Sequence, residues 1–135
     1  MEEQRIRKAS AADARRALAA ADECFVDARS ARDAERWHAA GVAAIQVGIA
    51  AADAVLAAVS HVRSASPDHQ HVVRLLGDMD VPFPATQRRQ IQGLLSERNA
   101  VYYEHRALTA VEARVLVDQC ERFLGWAHGV VDHRL

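Results

Sequence analysis

Hydrophobic residues recur along this chain at intervals of three and four positions, the spacing that places side chains on one face of an α-helix. A first helix is predicted over residues 10 to about 29, because Ser10 and Asp13 have the spacing of a capping box at its start. A second, longer helix is predicted over residues 33 to 62. Six hydrophobic residues form its main apolar face: Val42, Ile45, Ile49, Ala52, Leu56 and Val59.

The second helix also carries a line of small residues beside its main apolar face: Gly41, Ala44, Gly48 and Ala51. Small side chains allow another helix to approach closely, and close packing can offset the cost of glycine inside a helix, up to about 1 kcal/mol. We therefore expect the second helix to contact neighbours on two sides and to lie at the centre of a bundle.

Three further helices are predicted in the second half of the chain. A loop at residues 64–68 precedes a short third helix, and two prolines make residues 78–84 irregular. A fourth helix is predicted over residues 86 to about 104. A capping box from Thr109 to Glu112 opens the last helix, which has one continuous apolar face.

The composition supports the same fold class. Half of the residues are hydrophobic, only 5% are aromatic, and alanine, the best helix former, dominates the apolar set. Few segments alternate apolar and polar residues, so we expect no sheet. The sequence predicts an all-α fold, a four-to-five-helix up-and-down bundle forming one domain over residues 1–135, with a flexible or loosely packed N-terminal segment at residues 1–9.

The charge of the chain excludes one class of function. A formal net charge of -1, with 26% charged residues, indicates a mixed surface. High-affinity binders of nucleic acid without sequence preference normally have a basic stripe, because phosphate contacts dominate that affinity. A small RNA contact made inside a cleft is compatible with this charge.

No segment predicts secretion, a membrane span or a cofactor. The N-terminus lacks the apolar core of a signal peptide, and the apolar run at residues 42–60 is interrupted by Gln46 and Asp53, so we expect a cytoplasmic protein. There is no glycine-rich phosphate loop, nucleophile elbow or zinc-ligand spacing, so no cofactor and no metal are predicted. Cys24 and Cys120 are expected to be buried small hydrophobes.

The predicted fourth helix breaks its own apolar pattern. Its apolar face should continue through positions 91, 94, 98, 101 and 105, but Arg98 and His105 occupy two of them. In one interpretation this face simply reaches solvent, where Arg98 pairs with a carboxylate and His105 caps the helix end. In the other, Arg98 holds a phosphate and His105 transfers a proton, the two groups that metal-independent RNA cleavage requires.

The run Arg98-Asn99-Ala100-Val101-Tyr102-Tyr103-Glu104-His105 resembles the motif of the HEPN superfamily. That motif is an arginine, often followed by a polar residue, and a histidine after four to six further residues. Here six residues intervene, and the motif lies on the penultimate helix of a small bundle. The resemblance extends over nearly the whole chain, including the run Ala50-Ala51-Ala52-Asp53-Ala54, Asp68-His69 and the end of the last helix at Phe123-Leu124.

The resemblance implies a homodimer that brings two copies of the motif into one cleft. In active members this cleft is a ribonuclease site, often in toxin–antitoxin or defence modules, with an antitoxin-type partner such as a small nucleotidyltransferase. The resemblance assigns catalysis to Arg98 and His105 and an orienting role to Asn99. It also places Tyr102 and Tyr103 in the cleft. In the commonest toxin form histidine occupies the position of Tyr103, so a non-catalytic module that binds a protein partner or a nucleotide is the alternative.

Two further features of the sequence bear on this site. Asp53 lies on the apolar face of the second helix, so it either lines the same cleft, with Arg98 as its cation, or lies at an exposed edge of that face. His69 and His71 are two positions apart and point in different directions on a helix, so a metal site there is not expected. The small-residue line and the polar break on the fourth helix both predict a covering surface, which a symmetric homodimer would supply.

Overall fold

The structure is a computed structural model that describes residues 5–135. Within that part of the chain the secondary-structure elements are, in order, β1 (Ile6–Lys8), α1 (Ala11–Asp33), α2 (Trp37–Ser60), β2 (Val62–Ser64), α3 (Gln70–Asp78), α4 (Ala85–Ser96), α5 (Arg98–Tyr102) and α6 (Ala110–Arg134). The predicted all-α bundle is confirmed.

The first helix begins where its capping box predicts. The Ser10 hydroxyl accepts a hydrogen bond from the backbone N–H of Asp13 at 3.1 Å, and the Asp13 carboxylate accepts one from the backbone N–H of Ser10 at 2.8 Å. The helix continues to Asp33 rather than ending near residue 29, because its last turns still bury Ala28 and Ala31 against the core. Residues 34–36 then turn the chain into α2, with Glu35 in the left-handed region at φ 59°.

Helix α2 lies at the centre of the bundle and packs against α1, α4 and α6. It is shorter than predicted at both ends, Trp37–Ser60 instead of residues 33 to 62. The small-residue line is covered on one side by α4, because a Cβ added to Gly48 would lie 2.8 Å from Leu94 Cδ1. Gly41 faces Leu108 and Leu116 in the same way, so the prediction of close approach at both glycines is confirmed.

Helix α2 is long and apolar enough to cross a membrane by length and composition. Among the described residues it is the one helix with these properties, and 72% of its most apolar window is buried inside the bundle. The apolar character of α2 is therefore accounted for by its packing against its neighbours.

A short antiparallel β-ribbon joins the N-terminal segment to the end of α2. Ile6 pairs with Ser64 and Lys8 with Val62, and the backbone N–H of Ala9 donates to the carbonyl of His61 at 2.9 Å. The prediction of no sheet was wrong here, because strands of three residues are too short to produce a recognisable alternation of apolar and polar positions. Residues 6–9 of the segment expected to be loosely packed are thus held by pairing, while residues 1–4 lie outside the described part.

The predicted fourth helix is two helices. Helix α4 ends at Ser96, Glu97 forms a turn, and α5 covers only residues 98–102, so the helical structure stops two residues before the predicted end at 104. Ile91, Leu94 and Val101 are fully buried, so the apolar face runs across the break as the sequence predicted.

The last helix closes the bundle. Thr109 and Glu112 form both hydrogen bonds of the predicted capping box, at 3.1 and 3.0 Å, and α6 buries Leu116, Phe123 and Ala127 against the other helices.

The two cysteines differ in burial. Cys120 on α6 is fully buried, and burial raises the pKa of its thiol to about 12. Cys24 on α1 is only half-buried, so the prediction of a buried small hydrophobe is confirmed for Cys120 and wrong for Cys24.

Candidate functional site

Arg98 is the first residue of α5 and is held against two tyrosine rings. Its guanidinium carbon lies 5.1 Å from the ring centroid of Tyr102 and 5.3 Å from that of Tyr103. The side chain is half-buried, and its Nε atom is buried without a hydrogen-bond partner. No carboxylate of residues 5–135 forms an ion pair with it. A partly desolvated guanidinium with an unused N–H is suited to binding an anion.

The two tyrosines have different environments. Tyr102 is half-buried, and its hydroxyl donates a hydrogen bond to the backbone carbonyl of Val42 on α2 at 3.3 Å. Burial raises the pKa of the Tyr102 hydroxyl, although the charge of Arg98 acts in the opposite direction. Tyr103 packs edge-on against Tyr102 and leaves 62% of its surface exposed. Tyr102 therefore anchors Arg98 to the bundle, and Tyr103 presents a ring to solvent.

A cleft of about 410 Å³ opens beside Arg98, and we call it the Arg98 cleft. Arg98, Asn99 and the end of α4 form one wall, and residues 67–70, at the start of α3, form the other. Asn99 is exposed and lines the cleft, as its predicted role requires, but no hydrogen bond joins its side chain to Arg98 within the described residues. The cleft holds the predicted arginine and asparagine together, whereas Tyr102 and Tyr103, which were also expected in it, contact Arg98 but do not line the cleft.

The imidazole in this cleft is that of His69, not that of His105. His69 is half-buried, and burial together with the nearby charge of Arg98 lowers the pKa of its side chain. A neutral imidazole beside a guanidinium can accept a proton near neutral pH. From the sequence, His69 was not expected in the site: it was considered as a metal ligand, and Asp68-His69 was otherwise part of the wider resemblance to the HEPN superfamily. The feature of the sequence that could have indicated His69 is the Pro67-Asp68-His69 segment, which lies at the start of a helix.

His105 lies outside the helix that carries Arg98. It has φ 52°, in the left-handed region, is exposed, and its ring centroid lies 6.1 Å from that of His38 on α2. The expectation that two helical turns would place His105 on the same face as Arg98 was wrong, because the helix ends at Tyr102. His105 does not line the Arg98 cleft.

An ion-pair cluster lies at the loop that contains His105. Arg106 Nη1 lies 2.9 Å from Glu112 Oε2, and Arg106 Nη2 forms a second ion pair with Glu97. These pairs tie the loop to the turn between α4 and α5 and to the first turn of α6. In addition, the backbone N–H of Arg106 donates to the carbonyl of Ala100 at 2.9 Å. These contacts join residues six to nine positions apart, a separation that helical periodicity does not report.

Asp53 lies in another part of the molecule. It lines a separate pocket with residues of β1, β2 and α1, and the cation that opposes the effect of burial on its carboxyl is Arg63, not Arg98. The hypothesis that Asp53 lines the Arg98 cleft was therefore wrong. Helical periodicity predicts on which face of its helix a residue lies. It does not predict which residues of the neighbouring helices lie opposite it.

Comparisons with known proteins identify the fold. No protein-family model matches the chain, and no curated protein sequence matches it. Among solved structures, the chain is similar to the crystal structure of an archaeal HEPN homologue, with a TM-score of 0.67 and 19% sequence identity. The similarity covers 87% of this chain and 97% of that one. The chain therefore has the HEPN fold that the resemblance in its sequence implied.

Proposed function

We propose that this chain is an RNA-processing protein that binds the phosphate backbone of RNA in the Arg98 cleft. The observation that supports this most is the state of Arg98: half-buried, with a buried Nε that lacks a partner and no ion pair within the described residues. A phosphodiester would supply the acceptors that the protein does not, and arginine is suited to hold it through several N–H groups at once.

The exposed ring of Tyr103 supports an RNA ligand rather than a free phosphate. Recognition of single-stranded RNA commonly combines an aromatic ring that stacks on a base with a cation on the backbone. Tyr103 lies directly beside Arg98 and is 62% exposed, so a base could stack on it while its phosphate contacts the guanidinium. Because the net charge of the chain is only -1, we expect moderate affinity that depends on this local contact.

In the catalytic form of the proposal, the protein is a metal-independent endoribonuclease that acts as a homodimer. A base removes the proton of the ribose 2′-hydroxyl, the 2′-oxygen attacks phosphorus, and the bond to the 5′-oxygen breaks as that oxygen gains a proton. Arg98 would stabilise the charge on the phosphate. Within one chain His69 is the imidazole of the cleft, so a role for His105 requires that the second copy contribute it.

The second candidate is a non-catalytic module that binds a protein partner or a nucleotide through the same cleft. The observation that favours it is the position of His105, which is exposed on the turn after α5 and points toward His38. In this case Arg98 would still be required for binding, while His69 and His105 would not be required for proton transfer.

RNA binding can be tested by fluorescence anisotropy with a short single-stranded RNA at low ionic strength. We expect Arg98→Ala to weaken binding at least about tenfold, since a hydrogen-bonded charge contact contributes roughly 1.5 to 3 kcal/mol. Tyr103→Ala should weaken it by a similar factor through lost stacking. Arg89→Ala, on the exposed side of α4, is the matched control and should bind normally. Normal RNA binding by Arg98→Ala would refute the proposed site.

Cleavage and the composite site can be tested together by mixing variants. Wild-type protein with a chelator should give products ending in a 2′,3′-cyclic phosphate if the enzyme form is correct. If His105 acts from the second copy, Arg98→Ala and His105→Ala should each be inactive, and a mixture of the two should regain part of the activity. If His69 is the base, His69→Ala should be inactive and His105→Ala active. RNA binding without any cleavage would contradict the catalytic form of the proposal, and a monomeric mass by light scattering would exclude the composite site.

A further inference from the structure

A hydrogen bond between a serine and a histidine joins the β-ribbon to the first turn of α3. The Ser64 hydroxyl on β2 lies 2.7 Å from Nδ1 of His71, which is the second residue of α3. His71 is only 1% exposed, so the imidazole end of this bond is shielded from water, where a hydrogen bond is electrostatically stronger than at the surface. We call the two residues the Ser64–His71 pair.

A series of hydrogen bonds continues from Ser64 along the loop to α3. The Ser64 hydroxyl accepts from the backbone N–H of Ser66 at 3.2 Å, and the Ser66 hydroxyl accepts from the backbone N–H of Asp68 at 3.1 Å. The Asp68 carboxylate accepts from the backbone N–H of Gln70 at 3.0 Å, one of the groups that a first helical turn leaves without a helical partner. Because each bond spans two residues, the series restrains the whole loop between the ribbon and α3.

His69 lies inside this series of bonds. The carbonyl of Asp68 before it accepts from the backbone N–H of His71 at 3.0 Å, and its own carbonyl accepts from the backbone N–H of Val72 at 3.2 Å. Among residues 5–135 no hydrogen bond is formed by the imidazole of His69. The place of this imidazole in the Arg98 cleft therefore follows from the position of its backbone.

Helix α3 needs contacts with the rest of the molecule to hold its first turn in place. It has nine residues, and isolated helices of this length are not stable in water. Its buried apolar residues Val72, Val73 and Leu76 attach it to the bundle, but its N-cap residue, His69, makes no capping hydrogen bond. The position of the first turn therefore depends on the bonds that Ser64 and Asp68 supply.

We propose that the Ser64–His71 pair positions His69 opposite Arg98, so that Ser64 and His71 are positioning residues of the candidate RNA site. The pair fixes residues 67–70, which form one wall of the Arg98 cleft, while Arg98 belongs to the other wall on α5. The two walls come from different elements, so the separation of imidazole and guanidinium depends on how each wall is held. The importance of the pair for RNA rests on the proposed function, whereas the position of His69 can be measured without RNA.

An NMR titration of the full chain reports the position of His69 through its imidazole. In the wild type, burial and the charge of Arg98 lower the pKa of His69, Asp68 acts in the opposite direction, and these are the other charged residues that line the cleft. In Ser64→Ala the wall should loosen, and the pKa of His69 should rise toward its ordinary value of 6.5 as the ring leaves Arg98 and becomes hydrated. The chain has seven histidines, so the signal is assigned by its loss in His69→Gln.

Two variants separate positioning from a general loss of stability. Ser64→Thr keeps a hydroxyl on the strand, and the pKa of His69 should be that of the wild type. Ser10→Ala is the matched control, because it also removes a serine hydroxyl that accepts from a backbone N–H, here that of Asp13 at the start of α1. A His69 pKa that is unchanged in Ser64→Ala, or that rises equally in Ser10→Ala, would overturn the proposal.

A further variant keeps the test decisive if circular dichroism shows that Ser64→Ala does not fold. Ser66→Ala removes the next hydroxyl of the series and the bond from the backbone N–H of Asp68, while the Ser64–His71 pair is retained. It should raise the pKa of His69 in the same direction, because the same wall is loosened. An unchanged pKa of His69 in a folded Ser66→Ala would then overturn the proposal.

RNA measurements distinguish the failure of this inference from the failure of the proposed function. If the protein cleaves RNA, Ser64→Ala should lower kcat at least about tenfold and change KM by less than about twofold, because a base displaced by about 1 Å loses much of its effect while Arg98 still binds the phosphate. Ser64→Thr should restore kcat, and a kcat of Ser64→Ala equal to that of Ser10→Ala would overturn the role of the pair in the reaction. Normal RNA binding by Arg98→Ala would instead refute the proposed function, and the titration of His69 would still decide whether the Ser64–His71 pair positions it.

Discussion

Replacement of Asp53 by asparagine should stabilise the protein at neutral pH and have less effect in acid. Burial raises the pKa of the Asp53 carboxyl from 3.8 to about 6, with Arg63 acting in the opposite direction. The other charged groups that line the pocket are Arg7, Lys8, Arg16 and Asp13. A raised carboxyl pKa means that the folded state disfavours the ionised form. The folded protein therefore has its full stability from the protonated carboxyl below the pKa of Asp53 in the unfolded chain. This contribution is lost as the pH rises through about 6, the pKa in the folded state.

The magnitude follows from the size of the shift. Each pKa unit corresponds to about 1.4 kcal/mol, so a shift of about two units gives an upper value of about 3 kcal/mol at neutral pH. Because the Asp53 carboxyl is partly exposed to water and an asparagine amide also needs hydrogen-bond partners, we expect a net gain of about 1 to 2 kcal/mol.

Urea unfolding followed by circular dichroism measures this difference. The free energy of unfolding of the wild type and of Asp53→Asn should be compared at about pH 7.5 and at about pH 4. The variant should be more stable than the wild type at about pH 7.5, and this difference should be smaller by about 1 to 2 kcal/mol at about pH 4. Asp27→Asn, at an exposed position on α1, is the matched control for the loss of one carboxylate. An Asp53→Asn variant whose advantage is the same at both pH values, or absent at neutral pH, would show that burial does not raise the pKa of this group.

Two further predictions concern packing and thiol chemistry. Gly48→Ala should lower the free energy of unfolding by about 1 to 3 kcal/mol, because its Cβ would lie 2.8 Å from Leu94 Cδ1. Gly125→Ala on α6 should instead raise the free energy of unfolding by up to about 1 kcal/mol, because its Cβ would meet nothing within 4 Å. Thermal or urea unfolding of the pair tests this, and equal effects would contradict the close approach of α4 to α2. In the folded protein a thiol reagent should modify Cys24 while Cys120 reacts only on unfolding, so early modification of two thiols per chain would contradict the burial of Cys120.

The helices and their order could be predicted from the sequence because their causes are local. Capping boxes at Ser10 and Thr109 fix the starts of α1 and α6 through hydrogen bonds between residues three positions apart. The small residues at Gly41 and Gly48 predicted a central α2, because only close contact with neighbours accounts for two glycines in an apolar helix.

The ends of the elements depended on contacts between distant parts of the chain. Helix α1 continues past its predicted end because Ala31 is buried by the rest of the bundle. The β-ribbon forms because residues 6–8 meet residues 62–64, and a three-residue strand leaves no periodic trace in the sequence. Local propensity cannot report either effect, since the stabilising partner lies tens of residues away.

The candidate site shows the same division between local and tertiary causes. The interruption of an apolar face by Arg98 is a property of the sequence, and in the structure this arginine is half-buried beside Tyr102. Which imidazole accompanies Arg98 was decided by the tertiary structure. Helix α5 ends at Tyr102, so His105 turns away from Arg98, and the start of α3 brings His69 to the cleft.

By itself, the sequence determined that this chain is an all-helical bundle with a central alanine-rich helix and an arginine out of place on an apolar face. Those features rest on spacings of three or four residues, which each segment carries alone. Only the tertiary structure decided that Asp53 belongs to a separate pocket with Arg63 and that His69 rather than His105 lies beside Arg98. The physical reason is that a helical period gives direction around an axis, whereas the meeting of two side chains also depends on the level at which the helices pack and on how the loops between them turn.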